Sequence, residues 1–219
     1  MTRLSSLIAG AAFCGLLAAQ PAAAQNRVRG HETGDFVIGL SMIGVVPVNG
    51  GSVNVLGGTP EASDSLTGQI DFTYFMTPNF SVNLIAATSR HDLQVSDSRI
   101  GTIDLGHVWA APPTLTVQYH PLPASRFSPY LGVGVNATIF YGEGGGYSPP
   151  VTKVDVGNTL GFALNGGLDI ELSSHWLLNF DAKWIYMQPD VTVQLPNRRL
   201  TATAQIDPLI FGAGLRYRF

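Results

Sequence analysis

From Asp35 to Val46 the chain alternates. Phe36, Ile38, Leu40 and Met42 share one parity, and Asp35, Gly39 and Ser41 share the other, interrupted by Val37 and Ile43. A two-residue period puts successive side chains on opposite faces of an extended segment, so this is strand one. The pattern then recurs. From Leu66 to Met76, Leu66, Ile70, Phe72 and Tyr74 oppose Thr67, Gln69, Asp71 and Thr73, and Thr77-Pro78-Asn79 breaks it as a turn. From Phe80 to about Leu93, Phe80, Val82 and Leu84 oppose Ser81, Asn83, Ile85 and Ala87. Strand four, from Thr114 to His120, sets Leu115, Val117 and Tyr119 against Thr116, Gln118 and His120.

The contrast between faces is plainest from Tyr130 to Tyr141, where Leu131, Val133, Val135, Ala137 and Ile139 oppose Gly132, Gly134, Asn136 and Thr138. Strand six, about Thr159 to Leu172, carries Phe162, Leu164, Leu168 and Ile170 opposite Asn165, Gly167, Asp169 and Glu171. Strand seven sets Trp176, Leu178, Phe180, Trp184 and Tyr186 against Asn179, Asp181 and Lys183. Strand eight, from about Thr201, ends with Leu209, Phe211, Ala213, Leu215, Tyr217 and Phe219 opposite Gly212, Gly214, Arg216 and Arg218. Connections after strands one, three, five and seven are long or rich in Gly and Pro, and those after two, four and six are short.

Mean hydropathy is +0.19, yet no run after residue 24 approaches the 18 or so apolar residues of a membrane helix. Lipid offers the backbone no hydrogen-bond partner, so the remaining way to span it is a closed barrel of alternating strands. The predicted fold is all-β, an eight-stranded antiparallel up-and-down transmembrane β-barrel with its long loops outside the cell. A soluble barrel or sandwich also alternates but buries its apolar face. It would leave Asp169, Glu171, Asp181, Lys183, Arg216 and Arg218 on a watery surface; the apolar-alternating segment that stops at Phe219 favours the membrane orientation. Trp176, Tyr119 and Tyr217 fall near strand ends, where an interfacial girdle belongs.

Arg3, an apolar run from Leu7 to Ala19, Pro21 and then Ala22-Ala23-Ala24 read as a secretory signal peptide, residues 1–24, cleaved before Gln25. The run is too short for a helix that stays in the bilayer. Cys14, the only cysteine, would leave with it, and the bulky Phe13 argues against a lipidated cysteine there. Residues 25–219 then form one domain, placed in the bacterial outer membrane. With 12% charged residues and a net charge of −3, nucleic acid is excluded as a partner.

Several segments resemble the outer-membrane protein W (OmpW) family: Leu84-Ile85-Ala86-Ala87-Thr88, Pro112-Pro113-Thr114-Leu115, Pro129-Tyr130-Leu131-Gly132-Val133-Gly134-Val135-Asn136, and Asp207-Pro208 through Tyr217-Arg218-Phe219. The resemblance implies an eight-stranded barrel with a largely apolar lumen, associated with movement of small hydrophobic molecules across the outer membrane. Leu215, Tyr217 and Phe219 resemble the terminal signal read by the barrel-assembly machinery. From barrel geometry alone the interior is just wide enough to be filled by side chains or to hold one small ligand.

In this register Ile85, Ala87, Ile185 and Met187 point inward near the extracellular half and are candidates to line an apolar pocket; ordinary packing is the bland alternative. Lys183, also inward, departs from the apolar lining the family implies. Asp169, Glu171, Asp181, Arg216 and Arg218 share the inward parity toward the short turns, where they are expected to pair as a polar plug. A ligand meeting that floor would leave sideways, with Pro47, Pro112 and Pro113 as candidates for an opening.

No catalytic, cofactor or metal site is expected. The five histidines lack compact ligand spacing, Ser174-His175 sits in a turn, Gly132-x-Gly134-x-x-Ala137 has no helix after it, and Gly142 to Gly146 lacks the ending of a phosphate loop. The expected partners are outer-membrane lipid, small hydrophobic ligands and, during biogenesis, the assembly machinery, with the barrel a monomer. The competing function is a non-transporting receptor or structural barrel that acts through its extracellular loops.

Overall fold

The computed structural model describes residues 28–50, 59–98, 101–149 and 151–219. The signal segment and Cys14 lie outside the described residues. The wall consists of β1 (Phe36–Val46), β2 (Ser65–Thr77), β3 (Phe80–Ala87), β4 (Thr114–Tyr119), β5 (Phe127–Gly144), β6 (Thr159–Glu171), β7 (Trp176–Tyr186) and β8 (Leu209–Arg218). Each strand pairs antiparallel with the next, and β8 returns to pair with β1 from Val37↔Arg218 to Val46↔Leu209. That last ladder closes the sheet into an eight-stranded barrel and removes the edge that an open sheet would present.

Burial follows the alternation with its sense inverted relative to a soluble protein. Leu40, Leu131 and Leu160 are 65%, 71% and 81% exposed, whereas Asp71, Asn83 and Gln118 are 0% exposed. An outer surface of this kind is stable against acyl chains and unstable against water. Aromatic rings gather at both ends of the wall. Phe36, Phe219, Tyr217, Trp176, Phe80 and Tyr119 pack near the short turns, and Phe162, Trp184 and Tyr186 pack toward the long loops.

Two expected strands are interrupted. The third stops at Ala87, because the following segment, Ser89–Ser98, leaves the β2 ladder and pairs with Gly101–Ala111. At this parting Thr67 Oγ1 donates to the Thr88 carbonyl at 2.7 Å. The eighth begins at Leu209 rather than Thr201, since Arg198–Thr203 folds back on Asp190–Leu195 and Pro208 has no N–H for the ladder. These extensions stand above the extracellular rim around a small core of Val95, Ile103, Val108 and Val154.

Inward glycines make room for large polar side chains. A Cβ at Gly39 would overlap the Asp71 carboxylate and Arg216 Cγ, and one at Gly167 would overlap the Tyr130 hydroxyl and the Phe180 carbonyl oxygen. Outward Gly68 has nothing near it. Gly167→Val is therefore expected to destabilise the barrel by about 3 kcal/mol, and Gly68→Val to stay within about 0.5 kcal/mol of the parent. Urea titration in lipid, read by the heat-modifiable shift on a gel, checks both.

Candidate lumenal site

The lumen divides into an apolar upper chamber and a charged lower layer. Alternation sends Ile43 and Val45 of β1, Ala163 of β6, Ile185 of β7 and Ile210 of β8 to the same height, where they form one buried cluster with Met187 just past β7. Ile85 and Ala87 from β3 join them around an apolar cavity of about 60 Å³. All four apolar candidates from the sequence, and Lys183, line it. Sequence reasoning left out Ile43, Val45 and Ile210, although their parity was legible, and it also left out the residues that the rim contributes, such as Phe140 and Pro208.

Below, the charges meet in three groups. Arg216 bridges two strands, with Nη2 3.2 Å from Asp71 Oδ1 and Nη1 3.1 Å from Asp169 Oδ1. Arg218 Nη1 lies 3.4 Å from Glu171 Oε2, and its Nε lies 3.5 Å from Asp35 Oδ2. Asp181 does not pair with an arginine: its Oδ1 takes the Lys183 ammonium, while its Oδ2 accepts from the Tyr130 hydroxyl at 2.8 Å and Asn165 Nδ2 at 3.2 Å. The expected plug residues are thus all buried on the inner face, but Asp181 belongs to a group with Lys183 one storey higher. Asp71 is a plug partner that the sequence reading placed inward without assigning it a role.

The periplasmic mouth is sealed by a segment that the strand pattern did not reveal. Residues 28–35 fold into the barrel end: Arg29 and Gly30 donate their backbone N–H groups to the Glu171 carboxylate at 2.8 and 3.0 Å, and the His31 N–H donates to the Pro123 carbonyl at 2.8 Å. Gly30 has φ = 72°, in the left-handed region, and a Cβ there would press on Pro123 and Ala124. His31 stacks on Phe75 at 4.2 Å and meets His120 edge-on at 5.0 Å.

His31, His120 and Asp169 offer potential ligand atoms within 4.8 Å of one another, a grouping that chain spacing concealed. Its present partners are an ion-pair network instead. Asp169 accepts from Arg216 and from Asn179 at 2.8 Å, and Arg218 Nη2 lies 3.4 Å from His31 Nδ1. Two guanidiniums against the cluster repel a cation. Burial pushes His31 down to about 3 and His120 down to about 4, against the opposing attraction of Asp169. Ser174 Oγ and His175 Nδ1 lie 2.9 Å apart, in an exposed turn where His175 stacks on Tyr217.

The profile of the OmpW family matches residues 32–219. The chain belongs to the OmpW family. It is 36% identical to the uncharacterized outer-membrane protein y4mB of Sinorhizobium fredii, over 96% of this chain and 93% of that one. The crystal structure of the outer membrane protein OprG from Pseudomonas aeruginosa superposes with a TM-score of 0.81 at 25% identity, covering 88% of this chain and 99% of OprG. The outer membrane protein AlkL has been solved in DMPC lipid bilayers. It matches with a TM-score of 0.69 at 26% identity, over 92% of this chain and 96% of that structure. The sequence of AlkL from Ectopseudomonas oleovorans is 30% identical over 87% of this chain and 84% of its own. This OmpW-family protein is an outer-membrane barrel, and its apolar outer face meets lipid.

Arg216→Ala leaves Asp71 and Asp169 buried without their cation, so a loss of about 3 to 5 kcal/mol is expected, seen as a lower gel-shift transition or as a leakier floor in single-channel conductance. The histidines give a second expectation. Between pH 6.5 and about 3 the unfolded chain binds protons at these positions that the folded chain does not. Stability is accordingly complete above pH 6.5 and declines as pH falls through that window. His31→Phe should keep the stacking and flatten the decline, measured as unfolding free energy against pH.

Proposed function

We propose that this barrel admits small hydrophobic molecules across the outer membrane by passive diffusion, with release sideways into the bilayer. The observation that carries the reading is the apolar chamber, open above and floored by the Lys183–Asp181 pair and the Arg216 and Arg218 groups below it. A greasy molecule gains roughly 25 cal/mol per Å² of apolar surface on leaving water for such walls. It finds only buried ion pairs beneath, so the downward route is the unfavourable one.

Sideways exit is supported by the ladder between β3 and β4, whose pairing ends at Ile85↔Thr114. Above that point Pro112 and Pro113 have no N–H to offer Ala86 and Ala87, and the Pro113 carbonyl is already held by Ala137 of β5 at 3.0 Å. Pro47 and Pro112 line the cavity itself. On the same reading the chain is exported by its N-terminal signal, Leu215, Tyr217 and Phe219 present the assembly signal on the outer face of β8, and the barrel works as a monomer.

Ala87→Trp narrows the chamber while Ala87 stays clear of every ion pair. It is expected to lower uptake of a labelled alkane several-fold in cells producing equal amounts of folded barrel. Uptake by the parent should rise linearly with concentration and be indifferent to an uncoupler; saturating, uncoupler-sensitive uptake would overturn passive diffusion.

A further inference from the structure

The apolar chamber ends on an ammonium group that is only partly used. Lys183 is 4% exposed, two residues before Ile185 on the same inner face of β7 and paired across the ladder with Ile210, in a lining that is mostly apolar. Its Nζ carries three N–H donors. Among the described residues, the Asp181 carboxylate is its single acceptor. Asp181 is in turn fully engaged, with Tyr130 and Asn165 on its second oxygen.

Asp181 cancels the charge of Lys183 without consuming its hydrogen-bonding capacity. A hydrocarbon settling on this floor leaves those donors unanswered, a penalty that a buried ammonium feels strongly. An oxygen atom at the end of the same hydrocarbon answers one of them. A carboxylate would bring a second negative charge beside Asp181, whereas a carbonyl, ester or hydroxyl oxygen brings none. Gln69, buried on β2, lines the same cavity and adds an amide to it.

Resting on the channel reading above, we infer that the chamber selects oxygenated hydrocarbons: apolar molecules with one neutral hydrogen-bond acceptor near an end, received by Lys183. Lys183 is then a specificity-determining residue, and its departure from an apolar lining is a functional feature.

Only two lysines occur in the chain, Lys153 and Lys183. Lys153 is exposed on the extracellular extension and serves as an internal control. The experiment uses the full barrel in nanodiscs, with lysine Nζ and isoleucine and methionine methyl groups isotopically labelled, titrated with 2-undecanone or undecane. The expected result is that both ligands move the methyl signals of the chamber, only 2-undecanone moves the Lys183 Nζ signal, and Lys153 stays still. The ketone should bind about tenfold more tightly, as one charge-assisted hydrogen bond allows.

Lys183→Met should bring the two affinities together, and Lys183→Arg should restore the preference. Lys183→Met with Asp181→Asn serves the same purpose if the single variant fails to fold, since it buries no unpaired charge. Equal affinities in the parent, or a ketone preference that survives either methionine variant, would overturn the assignment while leaving the channel reading intact. Methyl signals that respond to neither ligand would overturn the channel reading and this inference with it.

Discussion

A backbone placed in hydrocarbon must find all its hydrogen-bond partners within the protein, and the β8–β1 ladder is where this chain meets that demand. The pairing of Leu215 with Leu40, and of Arg216 with Gly39, turns a curved sheet into a cylinder. Once the sheet is closed, the two faces of every strand inherit different solvents. The outer face meets lipid and the inner face meets a lumen just wide enough for side chains. Alternation that would otherwise be symmetrical thus acquires a direction.

The inner face is where this protein departs from a uniformly greasy tube. Charged residues concentrate in the lower half, and each carboxylate there has found a cation or a set of N–H and O–H donors. Arg216 reaches both Asp71 and Asp169 because Gly39 leaves space for its stem. The N-terminal segment then seals the mouth by donating backbone N–H groups to Glu171. These contacts make the periplasmic end a closed, ion-paired floor, while the upper half, lined by Ile43, Ile85, Ile185 and Met187, holds the apolar cavity. Lys183 stands at the boundary between the two regimes.

The proposed function rests on that division of the lumen. An apolar chamber above an ion-paired floor favours entry of hydrocarbon-like molecules and disfavours their passage straight through. In the proposed route the prolines that precede β4, where its ladder with β3 stops at Ile85↔Thr114, mark the way out to the bilayer. The long connections add their own sheet and core above the rim, lengthening the passage that a ligand takes from outside.

Strand number, membrane orientation and the inward parity of Ile85, Asp169, Asp181, Lys183 and Arg216 were legible in the sequence, because a period of two is a local property that the pleat of a strand converts directly into a face. Family membership was legible too, in segments such as Pro112-Pro113-Thr114-Leu115. Partner choice was not. That Asp181 takes Lys183 and leaves Arg216 to Asp71 and Asp169 depends on strand stagger and on which inward positions are glycine, quantities set by closure of the whole barrel. The folding of residues 28–35 into the mouth, and the meeting of His31 with His120 and Asp169, join positions far apart along the chain, and only the cylinder brings them within reach.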